Sequence, residues 1–570
     1  MSAARDRRAP RAVRRVLAAL VLLAVLAGCA SLPRSGPVRA AAPEPPASDA
    51  VALVAYGPTP DAEPEAIVQG FLRAVAGGAG DEFTVAREFL AGPVSQTWNP
   101  RAQVRLYAAR DELEISQAAD GAVRVSVLAA ASVDGQGRYT EAAPDTTIEL
   151  DFSLARGLDG QWRIADLEDG ILLSPAVFDA QYVQHAIYFL SQDRESLVPE
   201  TRWFPERHAA TSVVRGVLDG PSPWLAPGVV SAVPIGTSLT VDSVSILDGA
   251  AQIDLSAEVL AASVPQRAYI LAQLQASLRA VRGVQSVRVT VAGSPFEVDG
   301  TVPTLLRNPY VTANPVVVSG VELFRFNGFD LTTLADTVPM EGMEPNNPAV
   351  PYESSPGPVV VLDGPDRLVT VPTTQSPAVV LLEGTGLVRP SIDRLGWVWT
   401  TPTRSDGALR AVRENGTVAQ VDATWLAGND VHSVRISRDG ARAVVIWSSQ
   451  GASAVEVAAV VRDTDGTPLA LGEPVRLGEV LSSATVAAWV DEQTVAVLGQ
   501  SGTDEVPSVH LLPIGGPTTD LPAVSGATTI AAGTGDRTLV LGTAEGELYE
   551  RNGLGWSLAV TAVHDPAYPG

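Results

Sequence analysis

Lysine is absent from the chain, and all 40 basic residues are arginine. No side-chain amine can therefore form a Schiff base or reach a phosphate from a glycine-rich loop. That removes pyridoxal chemistry and ordinary P-loop nucleotide hydrolysis. Cysteine occurs once, at Cys29, so no intrachain disulfide can form and the fold must rest on its core. The five histidines, His185, His208, His432, His510 and His564, are not paired at metal-ligand spacing, and there is no HExxH. A metal site of His and Cys is not expected; calcium bound by carboxylates alone stays open. No GxSxG marks a hydrolase elbow. The chain reads as a non-enzyme without catalytic residues, resident metal or cofactor.

What is present begins with a basic start. Arg5, Arg7, Arg8, Arg11, Arg14 and Arg15 precede an apolar run from Val16 to Leu26. A bilayer core needs about 20 apolar residues, so this run is too short to span and fits a signal-peptide core. The flanks Val13 and Val16 lack the remainder of a twin-arginine pattern, which favours the general secretory route. Leu26-Ala27-Gly28-Cys29 follows and resembles the lipobox of bacterial lipoproteins. The resemblance implies that residues 1–28 are a signal peptide cleaved after Gly28. It also implies S-diacylglycerol on the Cys29 thiol and an N-acyl chain on its freed amine. Several acyl chains anchor stably where one is marginal, so the lipid bilayer is an expected partner. The expected location is the extracytoplasmic face of the cell membrane.

Acidic residues outnumber basic ones, 64 to 40, giving a net charge of −24. Residues 1–28 hold six Arg and one Asp, so the remainder carries −29. Such a surface repels nucleic acid and anionic headgroups, and no nucleic-acid partner is expected. Residues 29–60 are rich in Pro and Ala and read as a tether.

Three patterns follow. In residues 61–175, Ile67, Phe71 and Val75 recur at helical spacing over Glu65–Ala76, and Asp81–Leu90 reads as a second helix. The period then turns to strands over Glu112–Gln117, Ala122–Ala129, Thr146–Leu154 and Gln161–Leu167. Asp120-Gly121, Asp134-Gly135 and Asp159-Gly160 are the turns between them. Two helices and a curved meander ending in Asp159-Gly160-Gln161-Trp162-Arg163-Ile164 resemble the NTF2-like α+β fold. Its cone can hold a ligand in other members. The nearby acids Asp166, Glu168 and Asp169 read as a solvated strand end.

Residues 176–300 give a strand pair at Ala186–Leu190 and Ser196–Pro199 and a helix at Thr211–Leu218. Strands follow at Leu239–Val241, Val244–Leu247 and Ala251–Leu255. A long helix opened by Pro265 carries an Ile270, Leu274, Leu278, Val281 stripe, and Val287–Val291 closes the unit. Val217-Leu218-Asp219-Gly220-Pro221, the Pro234–Thr237 turn and the strands at Gly249–Leu255 and Val287–Val291 resemble the α+β GerMN domain. The resemblance implies binding or assembly, not catalysis.

Residues 305–570 are strand-like throughout. Asp393, Asp439, Asp491 and Asp536 each precede an apolar strand, at spacings of 46, 52 and 45 residues. That is the length of one four-stranded blade, and the segment accommodates five or six blades. Each Asp is expected to accept backbone N–H bonds in a tight turn. Trp397, Trp399, Trp425, Trp447, Trp489 and Trp556 either line a sugar-binding face or fill the space between blades, and the second use is favoured.

The fold class is thus multidomain and mainly β: an NTF2-like domain, a GerMN domain, then an all-β propeller. Lipobox and domains in this order resemble the LpqB-type lipoproteins of actinobacteria. The resemblance implies a partner, the extracytoplasmic domain of a sensor histidine kinase of the MtrB type, and a role in cell-wall homeostasis and division. An alternative of another class is an envelope protein that binds or modifies cell-wall glycan.

Overall fold

The computed structural model describes residues 55–570, apart from 79–81, 110, 119–120, 312–313 and 503. The signal sequence, the lipobox and nearly all of the tether lie outside the described residues. The described body forms one compact unit.

The first helix, Pro64–Gly77, starts with proline in its first turn, where a missing N–H costs nothing. Its apolar face buries Ile67, Val68, Phe71, Leu72, Ala74 and Val75. The helix expected over Asp81–Leu90 is a single turn, Thr84–Arg87. The chain leaves it because Leu90 forms a bridge to Ile164 of the strand Trp162–Asp166, and Ala91 is extended before a separate short helix, Gly92–Thr97, begins. The sheet runs Trp162–Asp166, Thr147–Arg156, Val123–Asp134, Gln103–Tyr107, Ile171–Leu173, with Glu114–Gln117 and Tyr139–Glu141 also paired to Val123–Asp134. Its last pair, Gln103–Tyr107 with Ile171–Leu173, is parallel.

In the second part, a hairpin of Tyr182–Ser191 and Leu197–Pro205 is longer than the sequence suggests. It packs on helices Ala209–Asp219 and Val264–Leu278. The long helix links two parallel strands, Ala250–Leu255 and Ser286–Val291. Its stripe residues Ile270, Leu274, Leu278 and the following Val281 are buried in one core with the hairpin. The expected strand Leu239–Val241 is only a single bridge, Leu239 to Leu255, before the chain bends at Thr240–Asp242.

The β region is a ring of six blades. The innermost strands of blades two to six are Pro345–Ala349, Ser391–Ile392, Asp430–Ile436, Leu481–Trp489 and Ala527–Ala532. Blade one is made from both ends of the region. Val316–Ser319, Glu322–Phe326 and Leu331–Thr333 come first in the chain, and His564–Ala567 adds the inner strand. This closes the ring by hydrogen bonds between segments about 250 residues apart. Blades three and four are further joined through Pro468–Leu471, which pairs with both.

The turn aspartates show why the spacing is regular. Asp393 Oδ1 accepts the N–H groups of Leu395 and Trp397 at 2.9 and 3.0 Å. Asp439 Oδ1 accepts from Ala441 N and the Ser437 hydroxyl, and Asp491 Oδ1 from Gln493 N and Thr494 N. Asp536 departs from the set. It opens a tight helical turn after Gly535, and its carboxylate accepts no hydrogen bond among the described residues.

Candidate functional site

The NTF2-like cone holds little free space. Phe71 meets Trp98 and Phe152 edge-on at 5.3 and 6.0 Å, and Phe83 meets Trp98 at 5.9 Å. These rings fill the volume a ligand would need and leave a cavity of about 20 Å³. The three acids near its mouth are spoken for locally or face solvent. Glu168 pairs with Arg105, Asp169 accepts Asn99 N–H at 2.8 Å, and Asp166 is exposed at the end of its strand. The tryptophans divide between core and edge. Trp397, Trp399 and Trp489 are buried, while Trp425, Trp447 and Trp556 are half-buried. Trp399, Trp447 and Trp489 donate their indole N–H to Asp393, Glu456 and the Arg435 carbonyl. Among the described residues no group of three or more His, Cys, Asp or Glu is arranged to hold a metal ion.

Polar chemistry instead concentrates where the hairpin Tyr182–Ser191/Leu197–Pro205 meets the propeller. Arg442, almost wholly buried, pairs with Asp439 and donates to the carbonyls of Pro199 and Glu492. Glu492 accepts from Arg307 at 2.8 Å and from the Tyr188 hydroxyl at 2.8 Å. Trp203 Nε1 donates to Gly515 O, and Gln493 to the Thr201 hydroxyl. Arg394 pairs with Asp193 and, at 3.4 Å, with Glu195. Burial alone would raise the Asp193 carboxyl, but the Ser191 hydroxyl and the Arg394 guanidinium outweigh it and hold it below its usual value. Gly228 approaches blade four so closely that a Cβ there would lie 2.9 Å from Ala441 O and from Ala459 Cβ. The first part joins the same contact, since Thr518 of the propeller bonds Glu141 and Trp203 N donates to Gly137 O. Buried polar contacts of this kind fix geometry, because breaking one strands a buried partner.

A second polar place lies on the ring axis. Pro348, Pro390, Ile436, Trp489, Ile530 and Ala567, one from each blade, line a cavity of about 60 Å³. Arg389, Arg435 and Arg438 line it too. Arg389 stands four residues before Asp393, and Arg435 four before Asp439, so equivalent points of adjacent blades both aim a guanidinium inward. Arg389 donates to the carbonyls of Ile530 and Pro566, and Arg435 to those of Ala487 and Pro390. Arg438 reaches Trp489 O, Gly533 O and Asn308 Oδ1. Burial lowers all three from their ordinary values, and Arg435 is lowered further by Arg389 beside it. Sequence reading missed this trio. The signal available was an arginine at one fixed offset from the turn aspartate in two successive repeats.

Comparison with known proteins follows the same three-part division. The model for the Lipoprotein LpqB N-terminal domain matches residues 57–179. The germane model, described as sporulation and spore germination, matches 186–297. The model for the Lipoprotein LpqB beta-propeller domain matches 322–569. The chain is 26% identical to Lipoprotein LpqB of Bifidobacterium longum, with 85% of each chain covered. It is 27% identical to Lipoprotein LpqB of Thermobifida fusca, covering 96% of this chain and 97% of that one. Of solved structures, TolB from Acinetobacter baumannii is 13% identical with a TM-score of 0.35, covering 70% of this chain and 90% of its own.

Proposed function

The chain belongs to the LpqB family of lipoproteins, and on that premise we propose that it works as a membrane-held, non-catalytic regulator. It is cleaved after Gly28 and anchored through acylated Cys29 at the extracytoplasmic face of the cell membrane. There it binds the extracytoplasmic domain of a sensor histidine kinase of the MtrB type and modulates signalling for cell-wall homeostasis and division. The observation that carries this is the family likeness along nearly the whole length, headed by a lipobox that contains the chain's only cysteine. The propeller, the GerMN-type part and the filled NTF2-like cone support binding over turnover.

The physics of such a regulator is simple. An anchor confines it to the membrane that also holds the kinase and raises its effective concentration there. It then shifts the kinase only in so far as it binds one state of the sensor better than the other. A body whose parts are locked by buried polar contacts can present one fixed face to such a partner. We place the functional divisions at 61–175, 176–300 and 305–570, after the tether.

Crosslinking in intact membranes, followed by recovery of the chain, tests the partner. The wild-type protein should bring down the sensor kinase, and Cys29→Ala should bring down several-fold less. Recovery of no kinase with wild type rejects the assignment. Intact mass separates the two claims. Wild type should carry diacylglycerol and an N-acyl chain and sediment with membranes, whereas Cys29→Ala should carry neither and remain in the soluble fraction.

A further inference from the structure

We propose that the propeller axis is a binding site for one small oxyanion, a phosphate, sulfate or short carboxylate, held by Arg389 and Arg435 with Arg438 beside them.

Three guanidiniums converge on one cavity, and none forms an ion pair with a carboxylate among the described residues. Their protein partners are neutral oxygens: backbone carbonyls and the Asn308 amide. Arg389 and Arg435 each use only two of their nitrogens in this way, although a guanidinium offers five N–H donors. Asp565 and Asp491, whose charges act on Arg389 and Arg438, form no ion pair with them: Asp565 takes the Asn347 N–H and His564 Nδ1, and Asp491 takes two turn N–H groups. Tyr352 lies against Arg438, and burial pushes its hydroxyl well above its ordinary value, so it supplies no charge.

Burying like charges together without an anion is costly, and a buried cation is ordinarily paired. Here the cations persist at equivalent positions of two blades, on the one line toward which every blade points. The cavity of about 60 Å³ exceeds the ~10–15 Å³ that a single water requires. It has room for one tetrahedral oxyanion or a carboxylate group. Guanidiniums bind such groups with short, charge-assisted and often bidentate bonds. The anion would also tie blades three and four to the opposite wall, at Ile530 and Pro566.

The test uses the full chain in detergent, titrated with phosphate, sulfate and acetate at constant ionic strength against a chloride control. Calorimetric titration should show saturable uptake of one oxyanion per chain, and the unfolding temperature should climb with the logarithm of its concentration. Arg389→Gln and Arg435→Gln should weaken that uptake at least tenfold. In oxyanion-free buffer Arg435→Gln should unfold at or above the wild-type temperature, because it removes a buried charge that faces only another cation, Arg389. No saturable uptake of any of the three anions by wild type overturns the proposal, whether or not the variants fold. Undiminished uptake by both variants overturns it equally.

Discussion

Asp393 makes four bonds from a fully buried carboxylate. One oxygen closes its turn, and the other takes the Trp399 indole N–H at 2.9 Å and Arg462 Nη2 at 2.6 Å. Its alanine variant would leave Arg462, itself buried, without an anion and two turn N–H groups without an acceptor. Breaking one side of a buried pair costs about 3–5 kcal/mol. Urea unfolding of Asp393→Ala should show a loss of that order, while Asp536→Ala, whose carboxylate accepts no hydrogen bond among the described residues, should change stability by less than about 0.5 kcal/mol. Asp193 gives a pH signature. Its carboxyl is held below its usual value when folded, so its contribution is fully present above the unfolded value of about 3.9 and is lost as pH falls through the folded value. The gap in unfolding temperature between wild type and Asp193→Asn should therefore be widest near neutrality and close as pH drops below about 4.

At the scale of elements, the decisive one is the inner strand of blade one. His564–Ala567 pairs with Val316–Ser319 and gives the ring its last set of hydrogen bonds. A chain ending at Ala562 would leave that strand's edge bare and the apolar residues Val316 and Val318 of blade one, with Val350 of blade two, partly uncovered. Limited proteolysis should then cut within residues 316–350 at least tenfold faster than in the intact chain. The elements also show what sequence can and cannot reveal. The first and long helices were legible from 3.6-residue spacing, and the blades from recurring turn aspartates, of which Asp393, Asp439 and Asp491 close their turns with the carboxylate. Ile171–Leu173 was not, since three residues carry no period, and its pairing with Gln103–Tyr107 depends on chain 67 residues away. The short second helix was misjudged because its apolar spacing was real, but a bridge to Ile164 claims its end. The axial arginines were invisible for a different reason: only closure of the ring decides that two residues 46 apart share an axis.

For the whole molecule, the junction is what makes three patterns one body. Arg442, Glu492, Trp203 and Gly228 each have partners across it. Scanning calorimetry should show one cooperative endotherm for the full chain. Gly228→Val, which would drive a branched side chain into Ala441 and Ala459, should lower its temperature and split it in two. A variant that keeps one transition at the wild-type temperature would mean the junction is not what couples the parts.

Ring closure also has a consequence in time. Blade one begins at Val316 and is finished by His564, so roughly 245 residues must follow before the ring can shut. At a synthesis rate of about 5–20 residues per second, that is roughly ten to fifty seconds during which blades two to six are added one after another while blade one stays open. Throughout that interval Val316–Ser319 offers a free edge to any neighbouring chain, including another copy at the same stage. The newborn protein is thus most exposed to mispairing just before its final residues arrive, and its last strand acts as the timer that ends the danger.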